Sequence, residues 1–290
     1  MHLGRLAPAK VNLFLHVGAP GADGYHPISS LMVFADIGDR ISLEREPGPD
    51  LAVIGPFAAD LAGETDNLVL RARDRLLSGR PPSWPPFRLV LDKRLPIASG
   101  LGGGSADAAA ALILLRDALA LDVGDEALQD LAAGLGSDVP ACLASRSVMA
   151  AGRGDRLSPA PPLPALNAVL VNPRLPSPTG AIYRAYDRAV APQGADLPPW
   201  PREFAGAKDV AAFLADCRND LQVPALVHQP VIAEVLARLA GAPETLLARM
   251  SGSGATCFAL CSSAAAAARL AAKVGATKPN WWVQACVLGA

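Results

Sequence analysis

The sequence predicts an α+β protein, and three observations carry that reading. From Lys10 to Val17 the residues alternate, with Val11, Leu13, Leu15 and Val17 on one face and Lys10, Asn12, Phe14 and His16 on the other, which is the period of a strand. A second alternating run, Phe87 to Leu91, leads through Asp92, Lys93 and Arg94 into a loop holding Gly100, Gly102, Gly103 and Gly104, after which an alanine- and leucine-rich helix begins at Ser105. Towards the carboxyl end, helices at Val210 to Cys217 and Val231 to Ala240 precede a strand, the turn MSGSGAT, a strand, an alanine-rich helix and a last strand, WWVQACVL. That order fits half of a small α+β sandwich. A length of 290 residues fits one large domain or two of ordinary size.

The remaining elements follow in order. The turn residues of GAPGADGYHP close the first strand, and two strand-like runs come next, Ser30 to Ala35 and Arg40 to Arg45. Asp66 and Asn67 are placed to cap a helix reaching Leu77, and a short helix spans Asp125 to Ala133 ahead of GSDVPACL. Proline-rich joints stand at Ser158 to Pro164 and at Pro192 to Pro201, the second reading as a surface loop.

Composition narrows the class. With 51% hydrophobic and 18% charged residues, the chain has apolar surface enough to fold without disulfides or metals. Its formal net charge is -1 and its basic residues are scattered, which argues against a nucleic-acid or membrane-surface partner. Any anion must be gripped locally. Cys142, Cys217, Cys257, Cys261 and Cys286 lie in apolar stretches with no C-x-x-C pair, so they read as reduced core residues. No signal-like run opens the chain, and the apolar stretch Ala108 to Leu115 falls far short of the ~20 residues that span a bilayer. A cytoplasmic enzyme is the expectation.

The glycine loop is an anion site by its chemistry. Glycines let backbone N–H groups approach phosphate oxygens closely, Ser105 adds a hydroxyl, and the unpaired N–H groups of a helix start add partial positive charge. No Gly-Lys-Ser/Thr follows, so it is not a Walker A loop. Ser105 also stands where a dinucleotide fingerprint needs its third glycine, which counts against a dehydrogenase. The plain alternative is a flexible turn before a core helix.

PIASGLGGGSADAAAAL, from Pro96, resembles the phosphate-binding motif of the GHMP kinases, the family of galactokinase, homoserine kinase and mevalonate kinase. The opening AKVNLFLHV, DGYHPISSL, and in order DNLV from Asp66, DKRLP from Asp92, GSDVPACL from Gly136, the Pro-Thr of LPSPTGAIY, RNDLQ from Arg218 and SGSGATCF from Ser251 are similar to one branch of that family. Residues 191–215 match least. The resemblance implies a two-domain fold: a ribosomal-protein-S5-like, ATP-binding domain over 1–152 and a ferredoxin-like, substrate-side α/β sandwich over 153–290, with the active site in the cleft between them.

The resemblance also implies the chemistry: ATP-dependent phosphorylation of a small alcohol bearing a cytidine diphosphate group. Asp138 would be the catalytic aspartate and Lys10 its charge partner. Pro96, Gly100, Leu101, Gly102, Gly103, Gly104 and Ser105 would hold the ATP phosphates, and Asn67, Leu68 and Lys93 the adenine and ribose side. Tyr25 would stack on the cytosine, His26 would read its edge, and Asn12, Thr179 and Tyr183 would complete the substrate side. Ser251, Gly252, Ser253 and Gly254 form a supporting glycine motif near the first loop. Magnesium is expected to arrive with ATP, since no His, Cys, Asp or Glu cluster has metal-ligand spacing.

Each residue has a plainer reading on its own: a helix cap for Asp138 and Asn67, a core leucine for Leu68, an exposed lysine for Lys93, a solvated strand end for Lys10, a surface turn for Tyr25 and His26, and a tight hairpin for Ser251 to Gly254. Rival functions are a family kinase for another alcohol and a nucleotide-binding regulator that performs no transfer.

Overall fold

The structure, a computed structural model, describes residues 3–46, 48–80, 84–189, 192, 194, 196, 199–201 and 203–289. Positions 193, 195, 197 and 198 of the expected proline-rich surface loop lie outside them. The chain forms two compact units that interleave in sequence: residues 1–9, 37–97 and 102–145 make the first, and 10–36, 98–101 and 146–290 the second.

Two long strands, β1 (Leu3–Val17) and β2 (Ile28–Glu44), pair with each other, and each contributes one end to each unit. β2 is a single strand where the sequence suggested two short runs. Its joint holds at Gly38, where a Cβ would overlap the Ala7 carbonyl, so a glycine there lets β1 and β2 close without a break.

In the first unit, β3 (Leu51–Ile54) lies parallel to β4 (Arg88–Asp92), which runs antiparallel to β2 with Arg40 opposite Asp92. Helix α1 (Leu68–Leu77) buries Val69, Ala72 and Leu76, one stripe of helical spacing, and packs on α2 (Gly103–Ala118). α2 is buried on every side from Ala106 to Leu115, as expected of a helix that fills the core of its unit. It starts two residues before Ser105, because Gly102 at φ 62° takes the left-handed turn that begins it. α3 (Asp125–Ala133) and α4 (Val139–Ala144) pack on it in turn.

In the second unit, β5 (Val148–Gly152) pairs with β2 and with β6 (Arg156–Pro159), so the first proline-rich joint opens on the end of a strand. β7 (Leu166–Asn172), α5 (Thr179–Ala189), α6 (Ala207–Ala215), α7 (Gln222–His228), α8 (Val231–Ala240), β8 (Thr245–Met250), β9 (Cys257–Cys261), α9 (Ala264–Thr277) and β10 (Trp282–Leu288) follow. The antiparallel order is β10-β7-β9-β8. α8 and α9 cover this sheet, α8 through Ile232, Val235 and Leu239, in a core that also takes Val169, Val171, Leu270 and Val274. All five cysteines are buried free thiols, as the sequence predicts. Among the described residues, no helix is long and apolar enough to cross a membrane.

Candidate active site

Within the first unit, the start of α2 has the form of an anion site. Its N-cap is Gly102, so no side chain caps it, and the first intrahelical bond is Ala106 N–H to the Gly102 carbonyl at 2.8 Å. The N–H groups of Gly103, Gly104 and Ser105 therefore have no intrahelical acceptor. Gly104 is exposed, and Leu68 Cδ1 would lie 3.5 Å from a Cβ placed there, so α1 lays its first side chain against the turn. Asn67 caps α1, accepting from Val69 N–H at 2.9 Å, and donates to Glu64 at 3.1 Å. Pro96 is buried.

Lys93 is not the exposed lysine its surroundings suggest. It is buried, with Nζ 2.5 Å from Asp39 and 2.7 Å from Asp107. Asp39 accepts in addition from the N–H groups of Arg94 and Leu95 at 2.5 and 2.8 Å, which fixes the end of β4. Burial pulls the Lys93 ammonium down, but the two carboxylates outweigh it and the net direction is upward. Neither aspartate was found from the sequence. Asp107 did leave a signal, as a lone acid in an otherwise apolar run, where a buried charge must find a partner.

Asp138 occupies the N-cap position of α4, yet its side chain makes no capping bond to that helix. The cap reading of this half-buried residue therefore loses its main support.

Within the second unit, the loop segment Ala98–Leu101 is tied on several sides. Lys10 N–H donates to the Leu101 carbonyl at 2.9 Å, Thr256 N–H to Ser99 at 3.0 Å, and Ser177 N–H to Ala98 at 3.2 Å. Ser251 Oγ donates to the Gly100 carbonyl at 3.0 Å and accepts from Asn12 N–H at 3.1 Å. The glycine motif thus meets the first loop directly. Gly100 and Gly252 both have positive φ, 77° and 56°, and a Cβ on Gly252 would crowd the Gly100 carbonyl at 3.2 Å. Asn219, unnoticed in RNDLQ, holds this turn by donating to the carbonyls of Met250 and Gly252, both at 2.8 Å.

The polar face of β1 is buried rather than solvated: Lys10 is 5% and Asn12 2% exposed. Lys10 Nζ donates to Asn12 Oδ1 at 2.8 Å, Asn12 Nδ2 to Ser30 Oγ at 2.7 Å, and Ser30 Oγ to the Phe14 carbonyl at 2.7 Å. A chain of donors this deep locks the lysine head beside Asn12.

Tyr25 and His26 diverge. Tyr25 is 58% exposed, with the Arg153 guanidinium 4.2 Å from its ring centre and paired with Asp23. His26 is buried, its Nδ1 2.9 Å from the Gly18 carbonyl and its Nε2 3.0 Å from Asp187. The Tyr183 ring lies beside it at 5.3 Å, and Thr179 shares a hydroxyl contact with Ser253 at 2.9 Å.

A glycine-started helix, a strand face carrying a buried lysine, and a second glycine turn are parts of a small-molecule kinase, and the chain belongs to the GHMP kinases. The family's amino-terminal domain model matches residues 67–146 and its carboxyl-terminal model residues 204–280. The chain is 58% identical over 290 residues to a 4-diphosphocytidyl-2-C-methyl-D-erythritol kinase of a Caulobacter species, covering 100% of this chain and 99% of that one. It is 57% identical to the protein of that name from Caulobacter vibrioides, covering 99% and 100%. A crystal structure of 4-(cytidine 5'-diphospho)-2C-methyl-D-erythritol kinase matches with a TM-score of 0.78 at 35% identity, over 99% of each chain.

Proposed function

We propose that this chain transfers the γ-phosphoryl group of ATP to the 2-hydroxyl of 4-diphosphocytidyl-2-C-methyl-D-erythritol, giving the 2-phosphate and ADP, in the methylerythritol phosphate route to isopentenyl diphosphate and isoprenoids. The observation that carries the reading is likeness along the whole chain: 58% identity over 290 residues to a protein named for that reaction. The local chemistry agrees with it.

ATP phosphates fit the uncapped start of α2, where three N–H groups point out and Gly104 leaves room for an oxygen. Asn67, Leu68 and Lys93 are assigned to the nucleoside side; Asn67 and Leu68 form the start of α1, and Leu68 faces Gly104. Magnesium is assigned to the ATP phosphates, supplying charge neutralisation there.

On the acceptor side, Asp138 takes the proton of the 2-hydroxyl as its oxygen bonds to the γ-phosphorus and the bond to the bridging oxygen of ADP breaks. Lys10, held by Asn12, supplies positive charge to the reacting groups. The exposed ring of Tyr25 offers a stacking surface for cytosine. Beside it, His26 can trade its Asp187 contact for the base edge, and Thr179 and Tyr183 line the same end of α5.

The test of the acceptor assignment is Tyr25→Ala, assayed with ATP and a panel of alcohols. KM for the cytidine-bearing acceptor should rise about tenfold, the loss of one aromatic stack, while KM for ATP stays put. An unchanged acceptor KM, or a better turnover of an alcohol without cytidine, would move the chain to another substrate.

A further inference from the structure

The Asp39–Lys93–Asp107 cluster lies within the first unit, directly under the turn that opens α2. A Cβ on Gly103 would stand 3.1 Å from Lys93 Nζ and 3.6 Å from Asp39 Oδ2. Asp107 is on the second turn of the same helix. Two carboxylates face one ammonium, so the fully ionised cluster carries a surplus negative charge in the interior. Asp39 spreads its charge over Lys93 and the N–H groups of Arg94 and Leu95, so the unsatisfied charge sits on Asp107: its Oδ2 receives Lys93, but its Oδ1 is buried without a partner.

The neighbouring elements do not cancel the surplus. On α1, Arg71 pairs with Asp66, Arg73 with Asp50 and Asp74, and Arg75 with the Gly134 carbonyl. α3 carries the exposed acids Asp125, Glu126 and Asp130, the first paired with Arg116, and α4 carries Cys142 and, at its N-cap, Asp138. The charges that act on Asp107 are those of Lys93 and Asp39.

We propose that Asp39 and Asp107 are positioning residues for nucleotide binding, acting through Lys93, and that the protein takes up a proton on Asp107 when the start of α2 receives phosphate. The inference rests on the assignment of ATP phosphates to that turn. A phosphate above the turn and a surplus carboxylate below it repel each other through a poorly screened interior, and one proton on Asp107 removes the repulsion. The free protein is poised for this step. Burial pushes the Asp107 carboxyl up to about 7, with Asp39 adding to the rise and Lys93 opposing it. Protonated below that pH and ionised above it, Asp107 makes ATP affinity fall as pH rises through neutrality, by up to about tenfold per pH unit, the limit for uptake of one proton.

Asp107→Asn tests this, because it keeps the shape and the acceptor for Lys93 while removing the charge. ATP with magnesium is titrated calorimetrically into wild type and variant, from pH 6 to pH 9 (about the span over which one group turns over), in two buffers of different ionisation enthalpy. Thermal unfolding confirms that the variant is folded. Wild type should take up a proton above neutrality and lose affinity with pH, whereas Asp107→Asn should take up less and bind with a flatter profile, a difference that ATP's own ionisation, common to both, cannot produce. Binding with equal proton uptake in both proteins overturns the inference alone. Absence of proton uptake by wild type does the same even if the variant does not fold, and absence of ATP binding to wild type overturns the phosphate assignment along with it.

Discussion

Ser251 Oγ donates to the Gly100 carbonyl across 151 positions of sequence, at 3.0 Å. The contact is close because neither partner of the turn leaves room for a side chain: a Cβ on Gly100 would overlap the Ser251 carbonyl and sit 2.9 Å from Gly254 N. Gly100 also has φ 77°, where an L side chain costs about 1–2 kcal/mol.

Gly100→Ala should therefore lower both stability and ATP use, whereas Gly104→Ala should separate them. At Gly104 an added Cβ meets only Leu68 Cδ1, at 3.5 Å, and the backbone is helical. The expected result is a reduced unfolding midpoint and about a tenfold or greater loss of kcat/KM for ATP in Gly100→Ala. For Gly104→Ala the midpoint should be unchanged or higher, with weaker ATP binding. A Gly104→Ala protein that binds ATP as wild type does would take phosphate away from that turn.

His16 gives a pH dependence of stability. Its Nε2 accepts from Arg218 N–H at 3.1 Å and its Nδ1 faces the Asp196 carbonyl at 2.7 Å, so the neutral ring with the proton on Nδ1 satisfies both. Burial is the leading cause that lowers its pKa from 6.5, with the Arg218 charge acting the same way. Because the unfolded chain then binds a proton that the folded one refuses, this contribution is intact above about pH 6.5 and is lost as pH falls below it. Urea unfolding of wild type and His16→Gln between pH 5 and 8, the usual range of imidazole titration, should show a steeper acid loss in wild type. Parallel curves would remove His16 as the cause.

Much of this was legible in the sequence. Strand alternation at Lys10 to Val17, the glycine loop and the spans of α3 and α8 are written in local pattern, which one residue's neighbours suffice to reveal. What escaped depends on contacts far apart in the chain. The burial of Lys93 is not visible in the sequence because its partners Asp39 and Asp107 stand 54 and 14 positions away. Asn219 gives no local signal, because its partners are the distant carbonyls of Met250 and Gly252. Asp187, which meets His26, lies on α5, an amphipathic helix that the sequence reading did not include, and its partner stands far away in the chain. Asp36 and Asp39 interrupt the apolar run of β2, so its pattern reads as two strands; both are engaged, Asp36 with Val287 N–H and Asp39 with Lys93.

The phosphoryl transfer itself is tested most directly by single-turnover formation of the phosphomonoester from ATP, magnesium and 4-diphosphocytidyl-2-C-methyl-D-erythritol, followed by phosphorus NMR for wild type and Asp138→Asn. Wild type should give one ADP for each new 2-phosphate, and the variant should be slower by about 10²–10⁴-fold while still binding ATP. No phosphomonoester from wild type would contradict the assigned reaction, and a full rate from Asp138→Asn would remove that carboxylate from it.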